Sequence, residues 1–173
     1  GFHVASLMEE FMDVLERENG EYERLTELSR EKRQIIIDGN IPALEEITNR
    51  EQEITSILKN LEKKREEVVN DMSIVLSKKP EELTVTNMIA FLNKQPKEQQ
   101  KLQELKVKLR ATIEEMADIN TQNEVLLKHA LEMAEFDLTL FKSMRQAPTT
   151  ANYDRRANNT GDLLGSGGFD AKQ

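Results

Sequence analysis

The side chains that could do chemistry are few and scattered. The 173-residue chain has two histidines, His3 near its start and His129 within a helical stretch, and no cysteine. That supply gives no His or Cys cluster for a metal, no disulfide and no Ser-His-Asp set. Carboxylates abound, as in Glu9-Glu10, Glu45-Glu46 and Glu114-Glu115. Sequence neighbours on a helix point about 100° apart, however, so these pairs lie on solvated faces rather than converging on one atom. Gly165-Ser166-Gly167-Gly168 follows no strand and opens no helix, which removes it as a phosphate cradle. Lys63-Lys64-Arg65 is flanked by Glu62, Glu66 and Glu67 and reads as i,i+4 pairing, not as a nucleic-acid patch. The sequence therefore reads as a non-enzyme with no catalytic residue, no metal ligand and no cofactor.

What remains is surface that can stick to something, and the long third helix carries it. At 100° per residue, Leu102, Leu105, Leu109, Ile113, Met116 and Ile119 share one stripe, continued by Leu127, Ala130, Leu131, Ala134, Leu138 and Phe141. This stripe is read as the seam of a bundle. A second stripe, about a third of a turn away, is polar in the first half of the helix (Lys97, Gln100, Glu104, Lys108, Glu115, Asp118, Gln122). In the second half it becomes Val125, Leu126, Met133, Phe136, Leu140 and Met144. One helix thus passes from one apolar face to nearly two. Two readings of the doubled face stay open. It packs against the first helix, the cap or a second copy of the chain in a homodimer, or it is an exposed groove for an amphipathic partner helix with Met and Phe as adaptable contacts. His129 lies on this side as an edge residue.

The elements that position these stripes are all helical. A charged fraction of 32%, 5% aromatic residues and no Trp argue against a sandwich, a barrel or a thick α/β core. Net charge of −8 disfavours nucleic acid as a partner. No apolar run approaches the roughly 20 residues that span a bilayer, and the start lacks a secretory n-region and h-region, so a soluble chain without membrane insertion is expected. The spacing predicts helices over about 6–37, 41–77, 84–94 and 96–146. Leu7, Phe11, Val14, Leu25, Leu28 and Ile35 form the first stripe, and Gly39 supplies a left-handed stop after it. Asn40 caps the next helix, with Pro42 in its first turn. There Ile47, Ile54, Leu61, Val68 and Val75 fall at strict sevens, with Leu44, Leu58 and Met72 in the companion register and Glu51 and Arg65 interrupting it. Lys78-Lys79-Pro80 ends that helix, and Thr84 or Thr86 caps a short amphipathic piece that covers one end of the bundle.

From Pro96 to about Arg145 there is no Gly or Pro, so one helix of roughly 50 residues and ~75 Å is expected. In an up-down-up arrangement its end overhangs the second helix, which reaches only ~52 Å. The fold class is thus all-α, an elongated antiparallel bundle of three long helices with a short capping helix. Residues 1–146 form the body, and 147–173, rich in Pro, Thr, Asn and Gly, form a flexible tail.

A resemblance then enters. The run Ile35-Ile36-Ile37-Asp38-Gly39-Asn40, the following Ile41-Pro42-Ala43-Leu44-Glu45-Glu46-Ile47 and a long helix with Asn120-x-x-Asn123-x-x-Leu126-Leu127 together resemble the FlgN family of flagellar export chaperones. In the tail, Thr149-Thr150-Ala151-Asn152-Tyr153-Asp154 is similar to that family's "tYD" element, and Phe169-Asp170-Ala171-Lys172-Gln173 to the close of its Gram-positive members. Arg155-Arg156-Ala157 departs from the family habit of placing Gly soon after, since the next Gly is Gly161.

The resemblance implies a cytoplasmic chaperone without catalysis. It would hold hook-associated (hook-filament junction) proteins unassembled by their C-terminal helical segment and deliver them to the flagellar type III export machinery. It assigns Asn120, Asn123, Leu126, Leu127, Tyr153 and Asp154 to the family motif. From the residues alone, Asn123 falls within the seam, where a buried amide fixes helix register. The alternative is a structural coiled-coil tether or dimerisation module with no client.

Overall fold

A computed structural model describes residues 2–145; Gln146, the expected flexible tail 147–173 and the motif residues Tyr153 and Asp154 lie outside the described residues. The chain is all-α. Helix α1 covers Phe2–Asp38, α2 Ile41–Leu76, α3 Val85–Phe91 and α4 Pro96–Arg145, with a short 3₁₀ turn at Pro80–Glu82. No strand occurs among the described residues.

The helix ends follow from local hydrogen bonding. After α1, the Gly39 N–H donates to the Ile36 carbonyl (3.1 Å) and the Asn40 N–H to the Ile35 carbonyl (3.2 Å), with Gly39 at φ +67°. This is a Schellman stop, which consumes carbonyls that the helix end leaves unpaired. Asn40 at once starts α2, its Oδ1 accepting from the Ala43 N–H at 3.1 Å. Helix α2 ends the same way, through Ser77→Ile74 (3.3 Å) and Lys78→Ser73 (3.0 Å) with Ser77 at φ 53°. The stop was expected from Lys78-Lys79-Pro80; the backbone turns one residue earlier, with serine in the left-handed position. Thr84 caps α3, accepting from the Asn87 N–H at 3.1 Å. Helix α3 is shorter than expected because the Leu92 N–H already turns to Ile89 and Met88.

The described residues divide into two compact units, one of 2–28 with 49–116 and one of 29–48 with 117–145. In the first, Met8, Phe11, Met12 and Leu15 of α1, Val68 and Met72 of α2, Leu83, Met88 and Leu92 around α3, and Leu102 and Leu105 of α4 form one apolar core. The heptads of α2 are buried as their spacing demands, with Ile54 at 3% and Val68 at 3% exposure. Val75 breaks the series at 46%, because α2 stops one residue later and the half-buried Leu76 takes over the contact.

Two polar layers cross this unit. Glu18, buried on α1, sits 3.6 Å from Arg65 Nε on α2. Burial pushes the Glu18 carboxyl above its ordinary value, Arg65 opposes that rise and Glu62 adds to it. Thr112 Oγ1 on α4 donates to Asn19 Oδ1 on α1 at 2.9 Å. Helix α1 is thus covered on two flanks, by α2 and by α4.

Candidate functional site

In the second unit the end of α1 lies beside α4. Ser29 Oγ donates to Asn120 Oδ1 at 2.7 Å, and Asn123 Nδ2 donates to the Ser29 carbonyl at 2.6 Å. Arg33 reaches Gln122 Oε1 at 3.4 Å on the same side. Ser29, Asn120 and Asn123 are all buried, and Leu127 at 7% exposure closes the contact one turn on. These pairs join residues separated by 89 to 94 positions, so the two helices run parallel. At that offset Asp38, the last residue of α1, comes level with residues 127–132 of α4.

Past that level the side chains of α4 open to solvent. Val125 is 50% exposed, Met133 61%, Phe136 56%, Leu140 46% and Met144 78%, with Leu126 half-buried at the edge. The second stripe is therefore a free apolar face in this structure. The seam assignment needs correction over the same stretch. Ala130, Ala134, Leu138 and Phe141 were expected to be packed, yet all four are exposed, Leu138 at 46% and Phe141 at 53%. The reason is the offset: neither α1 nor α2 has a turn beside these residues, so the seam stops at Leu127 and half-buried Leu131. Among the described residues beyond Leu131 only Thr139 is buried, on the edge opposite the apolar face.

The two stripes thus merge into one broad apolar arc over the last turns of α4. Met and Phe dominate its outer part, and both suit contacts that must adapt to a partner's shape. The Arg145 guanidinium lies 4.6 Å from the centre of the Phe141 ring and adds a cation at the end of the arc. His129 is exposed, as an edge residue should be.

Of the motif residues, Asn120, Asn123 and Leu127 face α1 and are consumed by packing, and Leu126 alone borders the arc. Leu138 and Phe141 are the additions that stripe counting assigned elsewhere. The signal for them was the length of the first helix measured from the Gly39-Asn40 turn, because a helix that has ended cannot cover its neighbour.

The arc is a surface without chemistry. The described residues contain no group of three or more His, Cys, Asp or Glu side chains that would hold a metal, and no described helix is long and apolar enough to cross a membrane. A family model described as FlgN protein matches residues 7–161. The chain belongs to the FlgN family. FlgN proteins are flagellar export chaperones, a class that binds export substrates rather than converting them. Comparison with curated proteins and with solved structures returns no match to this FlgN chain.

Proposed function

We propose that this FlgN chain is a cytoplasmic chaperone whose α4 arc receives the C-terminal helical segment of a hook-associated protein and holds it unassembled until delivery to the flagellar type III export machinery. The observation that supports this reading is the merged apolar arc of Val125, Leu126, Met133, Phe136, Leu140 and Met144, exposed on a helix that outlasts its neighbours. An amphipathic helix needs such a face, laid out at i, i+3, i+4 and i+7, to hide its own apolar stripe. No chemical step belongs to this function.

The test is titration of the full chain with a peptide spanning the C-terminal helix of a hook-associated protein, in wild type and in Phe136→Ser/Leu140→Ser. Roughly half of each side chain remains to be covered, so about half of the ~1.5–3 kcal/mol of a fully buried anchor is at stake per residue. Together the two changes weaken binding about tenfold to a hundredfold. Unchanged affinity refutes the placement. Loss of a self-association seen in wild-type sedimentation, with no peptide binding in either protein, would assign the arc to a homodimer instead.

A further inference from the structure

A second docking surface lies in the first unit and does not depend on the reading of the α4 arc. Helix α3 fills the space between α2 and α4 with Met88, which is fully buried, and with Leu92 just after it. It is tied along α4 by Gln99 Nε2 donating to the Ile89 carbonyl (2.8 Å) and Lys106 Nζ donating to Thr86 Oγ1 (3.1 Å). Helix α3 therefore runs antiparallel to α4, and its first residue, Val85, is where the filling ends. Beyond it the same channel continues empty as a cavity of about 370 Å³, with Leu15 of α1 as floor and Leu109 and Ile113 of α4 along one wall. Leu109 and Ile113 stay only half-buried there, whereas Leu102 and Leu105, beside α3, are buried. The volume is at the lower end of what holds small apolar groups, ~300–1,000 Å³.

The rim is cationic in a chain whose net charge is −8. Arg65, Lys106 and Arg110 line the cavity against a single carboxylate, Glu114. Arg65 is engaged with Glu18, and Lys106 with Thr86. Arg110 is exposed and has no ion-pair partner among the described residues. We propose that this groove, the continuation of the α3 channel between α2 and α4, docks an acidic amphipathic helical segment of a partner protein. The segment places aliphatic side chains over Leu15, Leu109 and Ile113 and its carboxylates toward Arg110 and Lys106. The shape follows from α3, which shows that this channel accepts one narrow helix with a single apolar edge. The charge follows from the rim, since a basic segment would bring like charges together.

Methyl NMR on the full chain tests this, with a synthetic amphipathic peptide carrying leucines at helical spacing and glutamates elsewhere, and a twin in which every glutamate is lysine. The acidic peptide should shift the methyl signals of Val85, Leu109 and Ile113 and bind about tenfold or more tightly than its twin. Arg110→Glu with Lys106→Glu should reverse that ranking, and Arg110→Gln, a neutral change at an exposed position, should narrow it. Phe136→Ser/Leu140→Ser should leave the groove signals unchanged, which separates this site from the α4 arc. Equal binding of the two peptides overturns the proposal. So do signals moving only at Val125, Leu126 and Leu140, or a preference that survives charge reversal in a variant with an unaltered melting curve.

Discussion

Leu127 and Leu138 are the same residue type, three turns apart on one helix, and they should behave differently when truncated. Leu127 is 7% exposed and sits one turn past the Asn123 contact with α1, whereas Leu138 is 46% exposed beyond the last turn of α1. Leu127→Ala removes buried methyls and leaves a cavity that neighbours only partly close, at a cost of about 2–5 kcal/mol. Leu138→Ala removes a side chain already half in water, and alanine is the better helix former, so its cost stays at about 1 kcal/mol or less. For a chain of this size each kcal/mol shifts the melting temperature by roughly 3 °C, giving a loss of about 6–15 °C against about 3 °C. Far-UV circular dichroism during heating reads both, and urea titration with an unchanged m-value confirms that stability alone has moved. Equal losses for the two variants would mean that Leu138 is packed in solution, and the offset argument for the free face would then be wrong.

Two further outcomes follow from the backbone and from burial. Gly20 lies inside α1 with nothing within 4 Å of an added Cβ, so Gly20→Ala should raise stability by about 0.5–1 kcal/mol. Gly39→Ala meets no atom either but must adopt φ +67°, and should lower stability by about 1 kcal/mol in the same melting assay. Glu18 has its carboxyl raised above 4.5 by burial, so the folded state holds the proton more firmly than the unfolded one. That contribution is fully present below pH 4.5 and is lost as pH rises through the raised value. The melting temperature of Glu18→Gln should therefore gain on wild type as the pH is brought from 4.5 toward neutrality, and a constant difference across that range would count against it.

Periodicity exposed the skeleton well wherever one helix meets one neighbour. Helix α2 is the clear case, with Ile47, Ile54, Leu61 and Val68 buried at intervals of seven. Helix α1 was read from Leu7, Phe11, Val14, Leu25, Leu28 and Ile35, but Met8, Met12 and Leu15 are buried as well, and so are Glu18, Asn19, Thr26, Ser29 and Lys32. A helix with neighbours on two flanks buries two stripes. When much of the second stripe is polar, no hydrophobic count can find it. The α4 arc was legible in composition, since Val125 to Met144 replaces a polar stripe. Its full width was not, because the exposure of Leu138 and Phe141 depends on where α1 stops and not on any property of α4 itself.

The buried cluster of Ser29, Asn120 and Asn123 gives α4 the character of a ruler with one engraved mark. In an all-aliphatic seam, sliding α4 along α1 by one turn, about 5.4 Å, would trade leucine for isoleucine at small cost. Here such a slide would break the 2.7 Å and 2.6 Å hydrogen bonds at Ser29 and strand buried polar groups at about 1–3 kcal/mol each. The length of helix that projects past Asp38 is thereby set more than two turns upstream of Phe136. A substitution at Ser29, which touches no part of the arc, would let that length vary.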